Sequence, residues 1–103
     1  MGNDGHTASL FPHAKGLDSA INDRDSICAA ITANKSEVTG EHIDRMTLTL
    51  NGIKKSRVIK LLLTGEDKLE TYKQALAGTD IDSMPIRAVL QQKETPVIVY
   101  WAA

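Results

Sequence analysis

A short segment near the start of the sequence combines a carboxylate with a histidine. Asp4 and His6 are separated only by Gly5, and Gly2 lies just upstream. A histidine titrates near neutral pH and a nearby carboxylate can orient its ring, so the two residues have the components of a general base. Glycines let the backbone turn tightly and approach a ligand closely. The spacing could form a catalytic turn, but a solvated terminus that carries an incidental histidine is the commoner case for such a segment.

A second candidate lies where an apolar run meets a predicted helix, at residues 64–68 (TGEDK). Backbone N–H groups at the start of a helix attract anions, and Lys68 in the first turn could contact a phosphate. Glu66 and Asp67 in the same turn oppose an anion and favour ordinary capping. Arg45 and Arg87 are further candidates, either for substrate anions or for structural pairing.

Other residue types give little support for metal or nucleophilic chemistry. His13 and His42 have no cysteine or histidine at the spacing of metal ligands, so we expect neither a metal nor a cofactor. Cys28 lies in an apolar run, which predicts a small buried side chain rather than a nucleophile. Ser9 lacks the Gly-x-Ser-x-Gly motif of serine hydrolases.

The composition argues against several partners. The 103 residues are 42% apolar and 24% charged with a formal net charge of −1, values that suit one globular domain over residues 1–103. The sequence has no cluster of basic residues, so it does not indicate binding to nucleic acid or to an anionic membrane. The longest apolar run, residues 58–63, is too short to span a bilayer. A single cysteine fits a reducing compartment, so we expect a cytoplasmic protein.

Alternating strand and helix patterns are expected to position the candidate residues. Strands are predicted over residues 27–32, 46–50, 58–63 and 96–101, and helices over 51–56, 66–76 and 84–90. The strand at 58–63 is expected to be central and covered on both faces. This alternation predicts an α/β fold with a mainly parallel sheet flanked by helices. Residues 18–26 and 34–42 are polar and predicted to be connections.

One feature departs from a complete α/β domain. A catalytic turn in such a fold normally follows the carboxyl end of a strand, and no strand pattern precedes Gly2. We therefore expect the N-terminal part of the domain to be missing. A sheet without its first strands would expose an edge and apolar surface, so the chain could be an inactive fragment that folds by self-association.

Residues 2–12 (GNDGHTASLFP) closely resemble the signature block of the 6-phosphogluconolactonases. Segments 45–50, 63–68 and 84–90 resemble further motifs of that family in the same order. The resemblance covers essentially the whole sequence, and only the C-terminal part of the family's usual chain. It implies a Rossmann-like fold of the sugar-phosphate isomerase and lactonase type. It also implies hydrolysis of 6-phosphogluconolactone in the oxidative pentose phosphate pathway.

The resemblance further implies roles for individual residues. His6 would be the general base that activates water to attack the lactone carbonyl, and Asp4 would orient or polarise the site. Lys68 would contact the 6-phosphate, with Gly5 and Arg45 also at the substrate. A lactone carbonyl is electrophilic enough for a positioned base and water, so neither metal nor cofactor would be required.

The nearest enzymatic alternative is an isomerase of the glucosamine-6-phosphate deaminase type, which shares the fold and the Asp-Gly-His turn. That branch of the family carries Glu-Pro after the turn, where this sequence has Phe11 and Pro12. The carboxylate that would assist ring opening is therefore absent. Phe11 favours the lactonase.

Overall fold

The computed structural model describes residues 1–103 and contains four strands and four helices. The strands are β1 (Cys28–Thr32), β2 (Asp44–Leu48), β3 (Ile59–Thr64) and β4 (Val97–Ala102). The helices are α1 (Leu17–Asn22), α2 (Leu50–Lys54), α3 (Glu66–Ala77) and α4 (Ile86–Gln91). The mixture of helices and strands confirms the α/β fold class.

The strands form two pairs that differ in direction. β3 and β4 are parallel, and α3 and α4 lie in the crossover that parallel neighbours require. β1 and β2 are antiparallel. Residues 33–43 connect them as a loop without a helix, so β2 runs back next to β1. The mainly parallel arrangement expected from the sequence therefore holds for β3 and β4, while the first pair has the opposite direction.

Two apolar clusters make up the core. The first contains Leu10, Phe11, Ala14, Leu17, Ala20, Ile31 and Ala33. The second contains Leu50, Leu61, Leu63, Ala75, Ile86, Ala88 and Val89. Ile21 and Ile53 pack against both clusters. The first cluster includes the residues just after the candidate catalytic turn, and the second lies where α3 and α4 cover β3.

Each strand pair buries only one face. In β3 the side chains of Leu61 and Leu63 are buried, whereas Leu62 between them is 72% exposed. The expectation that this strand is covered on both faces is therefore wrong. Cys28 of β1 is also exposed, opposite the exposed Leu48 of β2, because no layer of the structure packs on that face. The prediction of a buried Cys28 is wrong for the same reason.

Two local differences concern where elements begin and end. α1 (Leu17–Asn22) overlaps the stretch 18–26, which the sequence predicts to be a connection. Two buried residues three positions apart, Leu17 and Ala20, hold this helix against the core. The second predicted strand ends at Leu48 because Thr49 caps α2. The Thr49 side chain accepts a hydrogen bond of 3.0 Å from the Gly52 N–H.

Arg87 binds the carboxyl-terminal end of α3. Its guanidinium donates to the carbonyls of Ala75 at 3.1 Å and Gln74 at 2.9 Å, and to the carbonyl of Asp80 at 2.8 Å. The last carbonyls of a helix have no partner within the helix, so one arginine here satisfies groups that would otherwise depend on water. Of the two roles left open by the sequence, the structure supports the structural one.

We expect Arg87→Ala to lower the free energy of unfolding by about 1–3 kcal/mol, because these carbonyls lose their donor. Urea denaturation followed by circular dichroism measures the difference. Arg57→Ala is the matched control, since Arg57 is exposed, and it should change stability by less than about 0.5 kcal/mol. Equal unfolding midpoints for the two variants would contradict the role assigned to Arg87.

Candidate active site

Residues 2–6 form a turn that two backbone hydrogen bonds close. The Gly2 N–H donates to the His6 carbonyl at 2.9 Å, and the Gly5 N–H donates to the Gly2 carbonyl at 3.0 Å. Gly5 has φ = 85°, in the left-handed region that favours glycine. A Cβ on Gly2 would lie 2.2 Å from ring atoms of His6. The turn therefore requires glycine at both positions, for different reasons.

Asp4 holds His6 by two contacts to one carboxylate oxygen. Oδ1 accepts the His6 backbone N–H at 3.0 Å and lies 2.5 Å from ring Nδ1. An ionised carboxylate can only accept, so the proton of a neutral imidazole resides on Nδ1 and the lone pair on Nε2. Both side chains are largely covered, with 21% of His6 and 25% of Asp4 exposed. The pair has the orientation that a general base needs.

The ring of Phe11 provides the surface on which His6 rests. The two rings are stacked with centroids 4.3 Å apart and an interplanar angle of 28°. Phe11 is itself only 2% exposed and belongs to the first apolar cluster. The imidazole is thus restrained by Asp4 at its edge and by Phe11 at its face.

Helices α3 and α4 anchor the turn from the far end of the sequence. Lys68 in the first turn of α3 donates from Nζ to the Met1 carbonyl at 2.7 Å. Thr71, one turn later, donates to the Asn3 carbonyl at 3.2 Å. At the start of α4, the Ile86 N–H donates to the Gly5 carbonyl at 2.8 Å. The turn is therefore attached to folded structure and is not a frayed terminus.

The Lys68 ammonium influences the Met1 amino group beside the turn. Burial, and then the charge of Lys68, hold the pKa of the Met1 α-amino group below its usual value, and Asp4 opposes this shift. An ammonium has three donors, and the Met1 carbonyl uses one of those on Lys68. The remaining donors leave Lys68 able to contact an anion beside the turn.

Arg45 reaches the same region by another route. It donates from Nε to the His42 carbonyl at 2.7 Å and from Nη2 to the Thr39 carbonyl at 2.9 Å. Its guanidinium carbon lies 4.9 Å from the centroid of the Phe11 ring. These contacts hold the loop between β1 and β2 against Phe11.

The structure brings four of the five candidate residues into one place. His6, Asp4, Gly5 and Lys68 meet at the turn, and Arg45 joins them through Phe11. Both backbone polar groups of Gly5 are paired within the protein, so its contribution is the shape of the turn.

Other features of the site were not singled out from the sequence. The stacking by Phe11 and the anchoring hydrogen bond from Thr71 are both new. The closeness of Phe11 to His6 in sequence could have suggested the first, whereas nothing in the sequence pairs Thr71 with Asn3. No group of three or more histidine, cysteine, aspartate or glutamate side chains is arranged to hold a metal ion. None of the helices has the length and apolar character needed to cross a membrane.

Comparison with known proteins identifies the class to which this fold and turn belong. The sequence model of the family described as Glucosamine-6-phosphate isomerases/6-phosphogluconolactonase matches residues 1–99. The chain belongs to this family.

Individual relatives carry the lactonase name. The chain is 35% identical to a 6-phosphogluconolactonase of Rhizobium meliloti (strain 1021), over 99% of this chain and 42% of that protein. It is 41% identical to one of Mesorhizobium japonicum, over 99% of this chain and 40% of that protein. The crystal structure of a 6-phosphogluconolactonase from Shewanella baltica OS155 superposes with a TM-score of 0.87 at 47% identity, covering all of this chain and 42% of the other. The chain thus spans about two fifths of the length of these relatives.

Proposed function

We propose that this chain carries the catalytic turn of a 6-phosphogluconolactonase and hydrolyses 6-phosphogluconolactone to 6-phosphogluconate. The observation that supports this most directly is the His6–Asp4 pair, in which one carboxylate oxygen contacts both the backbone N–H and Nδ1 of the histidine. The lactonase names of the relatives support the choice of substrate.

The reaction needs one general base and one water molecule. Nε2 of His6 takes a proton from water as the water oxygen bonds to the lactone carbonyl carbon. The tetrahedral intermediate then expels the ring oxygen, which takes up the proton held on Nε2 and so restores the neutral histidine. The products are a carboxylic acid and a hydroxyl group on one carbon chain. Asp4 keeps the proton on Nδ1 throughout the attack, so that Nε2 remains the basic nitrogen.

Substrate binding would come from the charged groups around the turn. Lys68 would contact the 6-phosphate with the donors that the Met1 carbonyl leaves unused. Arg45 lies next to Phe11 and would donate to the substrate from guanidinium N–H groups that the loop carbonyls do not use. Gly5 would maintain the turn. Phosphate binding far from the reacting carbon would position the lactone relative to His6.

The alternative reaction within the family is less well supported. Ring-opening deamination of glucosamine 6-phosphate would require a carboxylate after the turn, where Phe11 is stacked on His6 instead. The three relatives compared above are named as lactonases.

The same proposal places residues 1–103 in one domain, since Ile21 and Ile53 pack against both apolar clusters. It also places the chain in the cytoplasm, in keeping with its one free cysteine, Cys28.

The test is the rate of lactone hydrolysis by the purified chain. We expect 6-phosphogluconolactone to disappear faster than by spontaneous hydrolysis, with one proton released per molecule, and glucosamine 6-phosphate to release no ammonia. A rate equal to the spontaneous one would contradict the proposal for this chain, and ammonia release would favour the isomerase.

A second proposal is favoured by the uncovered side of the parallel pair. β3 and β4 each have one strand neighbour, so each leaves its other edge open. On their exposed face lie Leu62, 72% exposed, with Tyr100 at 49% and Ile98 at 42%. Open edges next to apolar side chains promote pairing between chains. We propose that a second copy of this chain covers the exposed face of β3 and β4.

We expect the chain to sediment as a dimer or larger species, and Leu62→Lys to shift it towards monomer by placing a charge on this face. Leu76→Lys is the matched control, because Leu76 is 59% exposed on α3, away from the open face. Sedimentation velocity at several concentrations measures the difference. A monomeric unaltered chain, or equal effects of the two lysine variants, would contradict self-association through this face.

A further inference from the structure

Trp101, the only tryptophan in the sequence, lies at the end of β4 close to the start of α3. In the register of the parallel pair it stands opposite Leu63, which is buried, so both side chains lie on the sheet face that α3 covers. Trp101 is nevertheless 40% exposed and belongs to neither apolar cluster. Core packing does not account for this residue, and nothing in the proposed reaction uses it.

The indole of Trp101 holds one backbone group of Gly65. Its Nε1–H donates to the Gly65 carbonyl at 2.8 Å. The carbonyl of the next residue, Ala102, accepts the Gly65 N–H at 2.9 Å. The last two residues of β4 therefore bind both polar backbone groups of this glycine, which directly follows β3 and precedes α3.

The backbone of Gly65 has a conformation that needs such support. Its φ of 86° and ψ of 162° lie in a region that essentially only glycine adopts and that persists where the surroundings determine it. A Cβ here would meet nothing within 4 Å, so the conformation and not crowding requires glycine. The same carbonyl also accepts the Leu69 N–H at 3.3 Å, in the first turn of α3. The indole thus fixes the point from which this helix begins.

Lys68 lies in that first turn, three residues after Gly65. Its ammonium is held at 2.7 Å from the Met1 carbonyl, so a small change in the direction of the turn would move it. We infer that Trp101 is a positioning residue, which directs Lys68 towards the 6-phosphate of the substrate by holding the Gly65 carbonyl. This inference rests on the proposed function, because it takes Lys68 as the phosphate contact. Trp101 touches no reacting atom, so it acts on affinity for the phosphate and not on proton transfer at His6.

Trp101→Phe tests this role, because it keeps an aromatic ring and removes the donor. We expect it to raise the Kd for 6-phosphogluconate and the KM for the lactone about three- to tenfold, with kcat unchanged within about twofold. Gluconate lacks the phosphate, so its Kd should not change. Isothermal titration calorimetry measures the Kd values, and initial rates give KM and kcat.

Arg87→Ala is the matched control, because it removes donors from the opposite end of the same helix. It should lower stability and leave the Kd for 6-phosphogluconate unaltered, which separates a loosened helix from a displaced Lys68. In a Lys68→Met background, Trp101→Phe should have no further effect on that Kd, since the group that it positions is gone.

Fluorescence tests the same arrangement in the unaltered chain, so it does not depend on the folding of a variant. All tryptophan emission comes from Trp101. We expect 6-phosphogluconate and inorganic phosphate to change this emission, because a dianion binds next to the helix start that the indole holds, and gluconate to leave it unchanged.

Several results would overturn the role of Trp101 and leave the lactonase proposal standing. They are an effect of Trp101→Phe on kcat alone or on nothing, an equal rise in Kd for Arg87→Ala, an undiminished effect in the Lys68→Met background, and an emission that phosphate does not alter. If the unaltered chain neither binds 6-phosphogluconate more tightly than gluconate nor hydrolyses the lactone, both proposals are contradicted.

Discussion

A His6→Gln chain is expected to hydrolyse 6-phosphogluconolactone about 100- to 10,000-fold more slowly than the unaltered chain. Glutamine can still donate to the Asp4 carboxylate, but its amide has no basic nitrogen to take a proton from water. The catalysed rate, after subtraction of spontaneous hydrolysis, should therefore collapse while the turn stays closed. Initial rates in a pH-stat or a coupled dehydrogenase assay measure the loss.

His42→Gln provides the control for this substitution, since the His42 side chain is exposed and only its backbone carbonyl, which the substitution keeps, accepts a hydrogen bond. It should retain the full rate. The unfolding curve of His42→Gln should match that of the unaltered chain within about 0.5 kcal/mol. His6→Gln loses the stacking on Phe11, so it should be less stable but still unfold cooperatively. Undiminished hydrolysis by the His6 variant would show that another group supplies the base.

Gly2→Ala is the second substitution with a large expected effect, although it removes none of the side chains in the proposed mechanism. The backbone at Gly2 does not require glycine, because its φ is outside the left-handed region. The new methyl group would instead lie 2.2 Å from Cε1 and Nδ1 of His6 and 2.8 Å from Oδ1 of Asp4. The imidazole has to move to relieve this overlap. A displacement of about 1 Å costs about 100-fold in rate, which is the loss we expect in lactone hydrolysis.

Gly40→Ala separates the effect on His6 from the general cost of replacing a glycine. Gly40 has φ = 63°, and a Cβ there would meet nothing within 4 Å. Its replacement should cost about 1–2 kcal/mol of stability through backbone strain and leave the rate unchanged. We therefore expect Gly2→Ala to lower the rate of lactone hydrolysis, and Gly40→Ala to lower stability without changing that rate. Full activity of Gly2→Ala would contradict the importance of the close packing of Gly2 against His6 for the proposed reaction.

Local patterns in the sequence were sufficient to predict most of the secondary structure. The helix predicted over 66–76 is α3 (Glu66–Ala77), and the strand predicted over 58–63 is β3 (Ile59–Thr64). Acidic residues in the first turn of the helix and the apolar run of the strand act within a few residues, which is why the sequence alone reveals them. α1 was missed because only Leu17 and Ala20 mark its buried side.

Burial and pairing were harder to predict because they depend on distant parts of the chain. The apolar run of β1 predicted a buried strand, yet Cys28 is exposed because nothing packs on that face. Alternation of strands and helices also predicted a mainly parallel sheet, whereas β1 and β2 are antiparallel. The connection between β1 and β2 contains no helix, and a crossover is what parallel pairing needs.

In the candidate site, too, local sequence patterns were predictable and the detailed contacts were not. The spacing of Asp4 and His6 suggested a base oriented by a carboxylate, and the resemblance of residues 2–12 to a known signature directed attention to a lactone. That Asp4 contacts both the backbone and the ring of His6 came only from the structure. The same holds for Lys68, whose contact with the Met1 carbonyl joins residues far apart in sequence.

The anchoring of the turn by α3 and α4 has a consequence for how the protein is made. The ribosome synthesises residues 2–6 long before Lys68, Thr71 and Ile86, the residues whose hydrogen bonds hold that turn. Contacts between distant residues form late, because the intervening chain must first be ordered. During translation the N-terminal turn therefore lacks these three hydrogen bonds until α4 has been synthesised. Residues 2–6 thus precede α3 and α4 in synthesis but reach their final geometry only after both helices have formed.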